Sequence, residues 1–194
     1  MTSKHLDLGC GLKPRNPYGC DELYGVDIVP ALGQEKIVSA NLTLQAIPFG
    51  DSHFESVSAY DFFEHIPRAF PTADFQSTRF PFIELMNEVW RVLKPGGLLY
   101  ASTPIYPHAD VFVDPTHVNV MTAKSHSYFT RPLRVAAMYG FRGDFTARRV
   151  EMARPAAKTL YVEPARNPAA MLKRRILTLT GRYSHIIWEL EAQK

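Results

Sequence analysis

KHLDLGCGLKPRNPYGCDELYGVDIVP, residues 4–30, decides the architecture. Residues 4–8 alternate His5 and Asp7 with Leu6 and Leu8 as a short strand does, and they stop at Gly9 and Gly11. Residues 23–28 read as a second strand, closed by Pro30. Between the two, Pro14 and Pro17 disfavour a long helix. Without a Cβ, Gly9 and Gly11 let the backbone turn sharply and come close to a ligand. Asp27 ends the second strand, where a carboxylate accepts two hydrogen bonds from the vicinal hydroxyls of a ribose. Turn and acid together describe a site for an adenosine-containing molecule. The third glycine of a G-x-G-x-x-G pattern is missing, residues 12–14 being Leu-Lys-Pro, which disfavours a pyrophosphate on a helix N-terminus.

Outward from this stretch, residues 35–40 form a weak strand, and residues 54–60 a clear one with its polar end at Asp61. EHIPRAF then begins a short helix or turn. Phe82, Leu85, Met86, Val89, Trp90 and Leu93 recur at threes and fours and predict a helix, which stops at Lys94-Pro95-Gly96-Gly97. A strand over 98–103 follows, ended by Pro104, and residues 105–131 are loop-rich. The rest reads as a helix over 132–141, a strand over 145–153, a helix over roughly 168–179 and a strand over 184–192. Alternating strands and helices predict a Rossmann-like α/β fold. Its open, mainly parallel sheet has about seven strands, helices on both faces and an antiparallel C-terminal pair. The reading is of one domain over 1–194.

Of the 194 residues, 46% are hydrophobic and 21% charged, a globular composition. No apolar run approaches the ~20 residues of a membrane span, and Asp7 and Gly9 break the first apolar stretch at once, so no signal peptide is read and a cytoplasmic location is expected. Two cysteines, Cys10 and Cys20, are too few for a disulfide scaffold and read as reduced thiols. The net charge of +3 divides unevenly: residues 142–194 carry 11 Lys and Arg against 5 Asp and Glu. Lys173, Arg174 and Arg175 beside Leu172, Ile176 and Leu179 could meet an anionic surface. The favoured reading packs the apolar side on the sheet and leaves the charges in water.

DLGCG with GVDI, then IPFGDSHFESVSAYDFFEHI, then EVWRVLKPGGLLYASTP, resembles the class I S-adenosylmethionine-dependent methyltransferases, in particular the small-molecule group. The resemblance covers residues 4 to 104 and implies S-adenosyl-L-methionine as cofactor. It implies that Asp7, Gly9, Cys10 and Gly11 wrap the methionine part, that Asp27 holds the ribose and that Ile28 lies beside the adenine. Asn41 and Leu42 stand where the family approaches the adenine amine, Asn41 replacing an acid, and Asp61 and Phe62 stand where it contacts the methionine and nears the acceptor. Two departures are plain: prolines replace the long helix after the glycine turn, and the first strand starts at residue 4, ahead of which the family has covering helices. A lid is then expected from residues 105–131, from a second copy or partner chain, or not at all.

Methyl transfer from a sulfonium is an in-line displacement, and alignment alone supplies ~7–11 kcal/mol of its barrier. A base is needed only when the acceptor is a hydroxyl, and histidine suits that task. The catalytic candidates are His65, four residues after Asp61, and His108 and His117 in the loop after the fifth strand. Each has a plainer alternative as a capping, packing or backbone-bonded residue. His108, Asp110, Asp114 and His117 have the side chains of a metal site, but the loop looks unanchored and the chemistry does not require an ion, so none is expected. G-x-S-x-G, P-loop and Asn-Pro-Pro-Tyr sequences do not occur, which disfavours acyl and phosphoryl transfer and nucleic-acid or protein-amide substrates. The expected function is methyl transfer to oxygen on a small or glycan-like acceptor. The alternative is a non-catalytic or partner-dependent binding subunit of the same fold. The incomplete glycine pattern disfavours a nicotinamide-dependent oxidoreductase.

Overall fold

The computed structural model describes residues 2–29, 32–155, 162, 164, 167–179 and 182–194. Its centre is β1 (Lys4–Leu8), paired in parallel with β2 (Glu22–Asp27) on one side and with β4 (Phe54–Tyr60) on the other. β3 (Ile37–Ser39) extends the sheet beyond β2. β7 (Leu93–Pro104) adds to β4, and β9 (His185–Ala192) and β8 (Phe145–Ala153) complete it as antiparallel strands, giving the order β3-β2-β1-β4-β7-β9-β8. β1 sends its chain to β2 on one flank while β4 lies on the other, so the order reverses at β1. In an open α/β sheet the crevice at that reversal is where ligands bind.

Alternation along the strands separates two faces of different chemistry. Leu6, Leu8, Val57, Ala59, Leu99 and Trp188 lie on one face and join a single apolar core with Phe82, Leu85, Met86 and Val89 of α1 (Pro81–Val92). These α1 residues follow the 3.6 period, and Pro81 sits in the helix's first turn, where a missing N–H does no harm. The opposite face presents His5, Asp7, Ser56, Ser58 and Ser102, all buried, with Tyr60, Tyr100 and Ile187 in a smaller cluster. Over this polar face lies the loop of residues 10–21.

Several elements differ from the sequence reading. The Lys94–Gly97 turn is a bulge within β7: pairing jumps from Phe54↔Leu93 to Ser56↔Leu98, and Gly96 takes φ +74°. The helix read over 132–141 is a 3-10 stretch, Val135–Tyr139, because left-handed backbone at Arg134 and Gly140 bounds it on both sides. A small hairpin, β5 (Phe70–Pro71) with β6 (Thr78–Arg79), was not foreseen. Helix α2 (Pro168–Leu179) forms as read and touches β8, the edge strand, but Leu172 and Ile176 stay exposed. An edge strand offers too little surface to cover the helix's apolar side, so that side does not pack on the sheet as expected. The side chains of Arg174, Arg175 and Leu179 lie outside the described residues. No helix among the described residues is long and apolar enough to cross a membrane.

Candidate active site

The glycine turn closes β1 against β2, the Gly9 N–H donating to the Val26 carbonyl at 2.9 Å. Gly9 has φ +63°, and a Cβ there would stand 2.5 Å from Cδ2 of Phe62, so the Phe62 ring seats directly on the turn. Gly11 has φ +57°, but a Cβ there would meet nothing within 4 Å; the side of the turn that it presents is open. Asp27 braces this open side. Its Oδ2 accepts the Gly11 N–H at 2.8 Å and its Oδ1 the Val29 N–H at 2.9 Å. Each oxygen keeps a second lone pair, as a ribose diol requires. Ile28, the next residue, is 64% exposed. An open glycine, a braced carboxylate with spare acceptors and an exposed apolar side chain fit an adenosyl ligand.

Cys10 and Leu42 serve packing. The Cys10 sulfur sits against Gly25, where a Cβ would lie 2.4 Å away, and burial together with Asp7 and Asp27 pushes the thiol up to about 12. Leu42 joins the apolar core. Asn41 caps its own turn: Oδ1 accepts the Thr43 N–H at 3.1 Å, and Gln45 Oε1 accepts the Asn41 N–H at 2.7 Å.

Asp7 lies beneath the turn with no exposed surface. Its Oδ1 accepts the Ser58 hydroxyl at 2.7 Å, and its Oδ2 accepts the Arg15 N–H at 2.8 Å and Nε–H at 3.0 Å. Burial pushes this carboxyl above the usual carboxylate range, against the pull of the Arg15 guanidinium and the Ser58 hydroxyl. Arg15 also donates to the Gly9 carbonyl at 3.3 Å and lies 4.4 Å over the Tyr60 ring. The sequence reading treated KPRNP only as a turn and missed Arg15. His5, equally buried, lies between Ser56 Oγ at Nδ1 (2.7 Å) and Ser58 Oγ at Nε2 (2.8 Å), and burial lowers its pKa to about 3.

The carboxyl end of β4 supplies the other half of the site. Asp61 has φ +48°, a conformation that costs a non-glycine residue about 1–2 kcal/mol. Two bonds hold it there: its N–H to the Ser102 carbonyl at 2.8 Å, and Oδ1 to His185 Nε2 at 2.9 Å. A 3-10 turn, Phe63–His65, then buries Glu64, whose Oε2 accepts the Thr103 hydroxyl at 2.6 Å. Burial pushes the Glu64 carboxyl up to about 7. His65 and His117 come together, their rings 4.9 Å apart, and His117 Nε2 lies 4.0 Å from Glu64 Oε1. His108 stands apart as the cap of the 3-10 turn Ala109–Phe112, accepting the Asp110 N–H at 3.2 Å. No three members of the run His108, Asp110, Asp114 and His117 share a cluster among the described residues; the group that converges is Glu64, His65 and His117. Glu64, Thr103 and His185 were not picked out from sequence. A groove of about 700 Å³, lined by Arg68, Phe80, Asn119, Met121, Phe129 and Tyr139 among others, opens beside this half of the site. It touches the Glu64 turn through Asn119, whose Nδ2 donates to the Phe63 carbonyl and whose N–H donates to the Glu64 carbonyl.

Residues 6–101 match the family model for the methyltransferase domain. That domain match and the fold are together consistent with a class I methyltransferase. A chain of the complex between the Haloferax volcanii Trm112 methyltransferase activator and a methyltransferase superposes with TM-score 0.57 at 15% identity, covering 100% of this chain and 84% of that one. A SAM-dependent methyltransferase from Archaeoglobus fulgidus superposes with TM-score 0.55 at 16% identity, covering 100% and 86%. The [4+2]-cyclase SpnF superposes with TM-score 0.53 at 15% identity, covering 99% and 75%. At these identities the likeness is one of fold, and the cyclase illustrates that one fold hosts more than one chemistry. No curated protein matches this sequence. The glycine turn and Asp27 lie at the carboxyl ends of β1 and β2, and the Glu64 cluster lies at the neighbouring end of β4.

Proposed function

We propose that this chain is a class I methyltransferase that binds S-adenosyl-L-methionine and methylates an oxygen of a small or glycan-like acceptor. Asp27 and the outer side of Gly11 hold the adenosyl part, Ile28 lies against the adenine, and Phe62 and Asp61 border the methionine part. When bound, the cofactor supplies an electrophilic methyl group. The chain's own residues orient the acceptor and accept its proton: His65 and His117 stand beside the buried Glu64 immediately after the β4 strand end, and the apolar groove bordered by Asn119 receives the rest of the acceptor. That convergence is the observation that carries the reading, because imidazole and carboxyl groups at a cofactor-side strand end suit removal of a hydroxyl proton. His108, committed to a cap, takes no part.

Calorimetric titration with S-adenosylmethionine and S-adenosylhomocysteine tests the cofactor; absence of binding by both would refute the reading. Asp27→Ala removes a charged acceptor for two hydroxyl hydrogen bonds. At about 1.5 kcal/mol or more for each bond, affinity should fall roughly a hundredfold. Unchanged affinity in the folded variant would overturn the ribose role.

A second reading is a partner-dependent subunit. It is supported by Leu12, Ile28, Val29 and Leu32, all exposed around the cofactor side, and by the activator complex of the Haloferax volcanii neighbour. It requires cofactor binding to be weak in the isolated chain and recovered with a partner.

A further inference from the structure

Glu64, His65 and His117 meet where the turn after β4 faces the loop after β7. Glu64 is 1% exposed, and while its Oε2 is bonded to Thr103, its Oε1 has no hydrogen-bond partner. Leaving a buried acceptor unpaired costs about 1–3 kcal/mol, so such an atom asks for an explanation. The atom across from it does not relieve it. His117 Nδ1 lies 3.0 Å from the Val111 carbonyl oxygen, which only accepts, so Nδ1 carries the proton and Nε2 the lone pair. That lone pair faces Glu64 Oε1 at 4.0 Å, too far for a hydrogen bond.

His65 is arranged in the same way. Its Nδ1 lies 2.9 Å from Thr116 Oγ1, and that hydroxyl spends its proton on Asp114 Oδ1 at 2.7 Å. Thr116 must therefore accept from His65 Nδ1–H, which leaves the lone pair on Nε2. Two imidazoles are thus locked in the same tautomer by acceptors behind them, beside one unpaired carboxylate oxygen. One ligand atom from each of the three residues lies within 4.8 Å of the others. Acceptors that fix the far nitrogen of each imidazole are what surrounds metal-ligating histidines.

We propose that Glu64, His65 and His117 bind a divalent first-row transition-metal ion, through one carboxylate oxygen and the Nε2 atoms of the two histidines. Two nitrogens and one oxygen suit zinc, iron, cobalt or manganese and do not suit calcium or magnesium, which demand oxygen-rich shells. Bonds of about 2.1 Å hold ligand atoms roughly 3–3.5 Å apart, so the three side chains draw together by about 1 Å on loading. Three protein ligands leave coordination positions open, the mark of a reactive rather than a structural ion. On the methyl-transfer reading those positions take the acceptor oxygen, and the bound ion then promotes loss of the hydroxyl proton in place of the imidazole lone pairs, which accept it only in the ion-free protein; the ion site itself does not depend on that reading.

Full-length protein stripped with a chelator and then titrated with Zn²⁺ by calorimetry should bind one ion, and Co²⁺ should develop visible d–d absorption with the same stoichiometry. His65→Ala and His117→Ala should each weaken Zn²⁺ binding by at least ~tenfold, and Thr116→Val, which removes only the acceptor behind His65, by about tenfold. Thr116 is exposed, so that variant keeps the fold and carries the test if a histidine variant does not. His108→Ala should leave binding unchanged. Absence of stoichiometric binding by folded wild-type protein would overturn the site. So would a loss in His108→Ala that equals the loss in His117→Ala, or full affinity in Thr116→Val. S-adenosylmethionine titration of the stripped protein reports on the cofactor separately, so the ion and the methyltransferase reading stand or fall independently.

Discussion

Acid should destabilise this fold through His5. The imidazole is buried, accepts the Ser56 hydroxyl at Nδ1, and its folded pKa of about 3 lies below the 6.5 of a free histidine. Below pH 6.5 the unfolded chain takes up a proton that the folded chain refuses, so stability falls as pH falls through the window from 6.5 to about 3. With ~1.4 kcal/mol per unit of pKa difference, the loss reaches about 1 kcal/mol at pH 5.5 and about 3 kcal/mol at pH 4.5. That is a large fraction of the ~5–15 kcal/mol that holds a domain together. Asp7 acts with the opposite sign, because a carboxyl whose pKa is raised by folding gains relative stability as pH falls. A non-titrating replacement isolates His5: His5→Gln keeps a donor and an acceptor but has no proton to gain. Urea unfolding of both proteins at pH 7.5, 5.5 and 4.5 should show the wild type losing about 3 kcal/mol more than the variant by the lowest pH. Parallel curves would refute a neutral imidazole locked beneath the sheet.

Gly9→Ala forces a methyl into Phe62 in left-handed backbone and should cost about 2–4 kcal/mol, whereas Gly11→Ala meets open space and should cost only about 1–2 kcal/mol in the same unfolding assay. Equal losses would contradict the packing of Phe62 on the turn. Arg15→Ala leaves Asp7 buried without its cation; because the Arg15 side chain is 26% exposed, we expect a loss of about 2–3 kcal/mol, below the ~3–5 of a fully buried pair. Adding Asp7→Asn should recover part of that loss, and no recovery would mean that the charge pairing is not the cause. Arg91 forks to the carbonyls of Ile47 and Phe49 and to Asp51 and Glu88; Arg91→Lys cannot reproduce that geometry and should lose about 1–2 kcal/mol by thermal or urea unfolding.

The parts of this protein legible in its sequence are those set by local pattern. Strand Phe54–Tyr60 falls where it was read, and α1 shows itself through the spacing of Phe82, Leu85, Met86 and Val89. The glycine turn and Asp27 come together because each ends a neighbouring strand, which follows from strand order. The candidate acceptor side is different, since its members meet only through tertiary register. His185 reaches Asp61 across 124 positions because β9 runs antiparallel and begins at the carboxyl end of the parallel strands, pairing His185 with Pro104. A reader who trusted the final antiparallel strand could have placed its first residue there. Glu64 adjoins the histidine that was picked out, but its burial comes from Thr103 and from the backbone of residues 118 and 119, and no spacing announces those.

The alternation of β1 misleads in an instructive way. A strand that reads apolar, polar, apolar is ordinarily half solvated, yet His5 and Asp7 have no exposed surface. The prolines at 14 and 17 are the reason. A helix after the glycine turn would lay an apolar stripe on this face and aim its positive end at the turn. The loop that takes its place offers backbone groups and the Arg15 guanidinium, so the strand face beneath it must be polar to match, and Arg15 brings the positive charge to Asp7 and to the Gly9 carbonyl. The resulting hydrogen bonds have a single direction. Ser58 donates to Asp7, so it accepts from His5 Nε2–H; His5 Nδ1 then accepts from Ser56, whose oxygen is left for the Cys20 thiol at 3.4 Å. A proton added to His5 reverses the Ser56 bond and puts a second positive charge near Arg15. The glycine turn, tied to this run through Asp7 and Arg15, is therefore the part of the proposed cofactor site that acid should loosen first, ahead of the apolar face on which α1 packs.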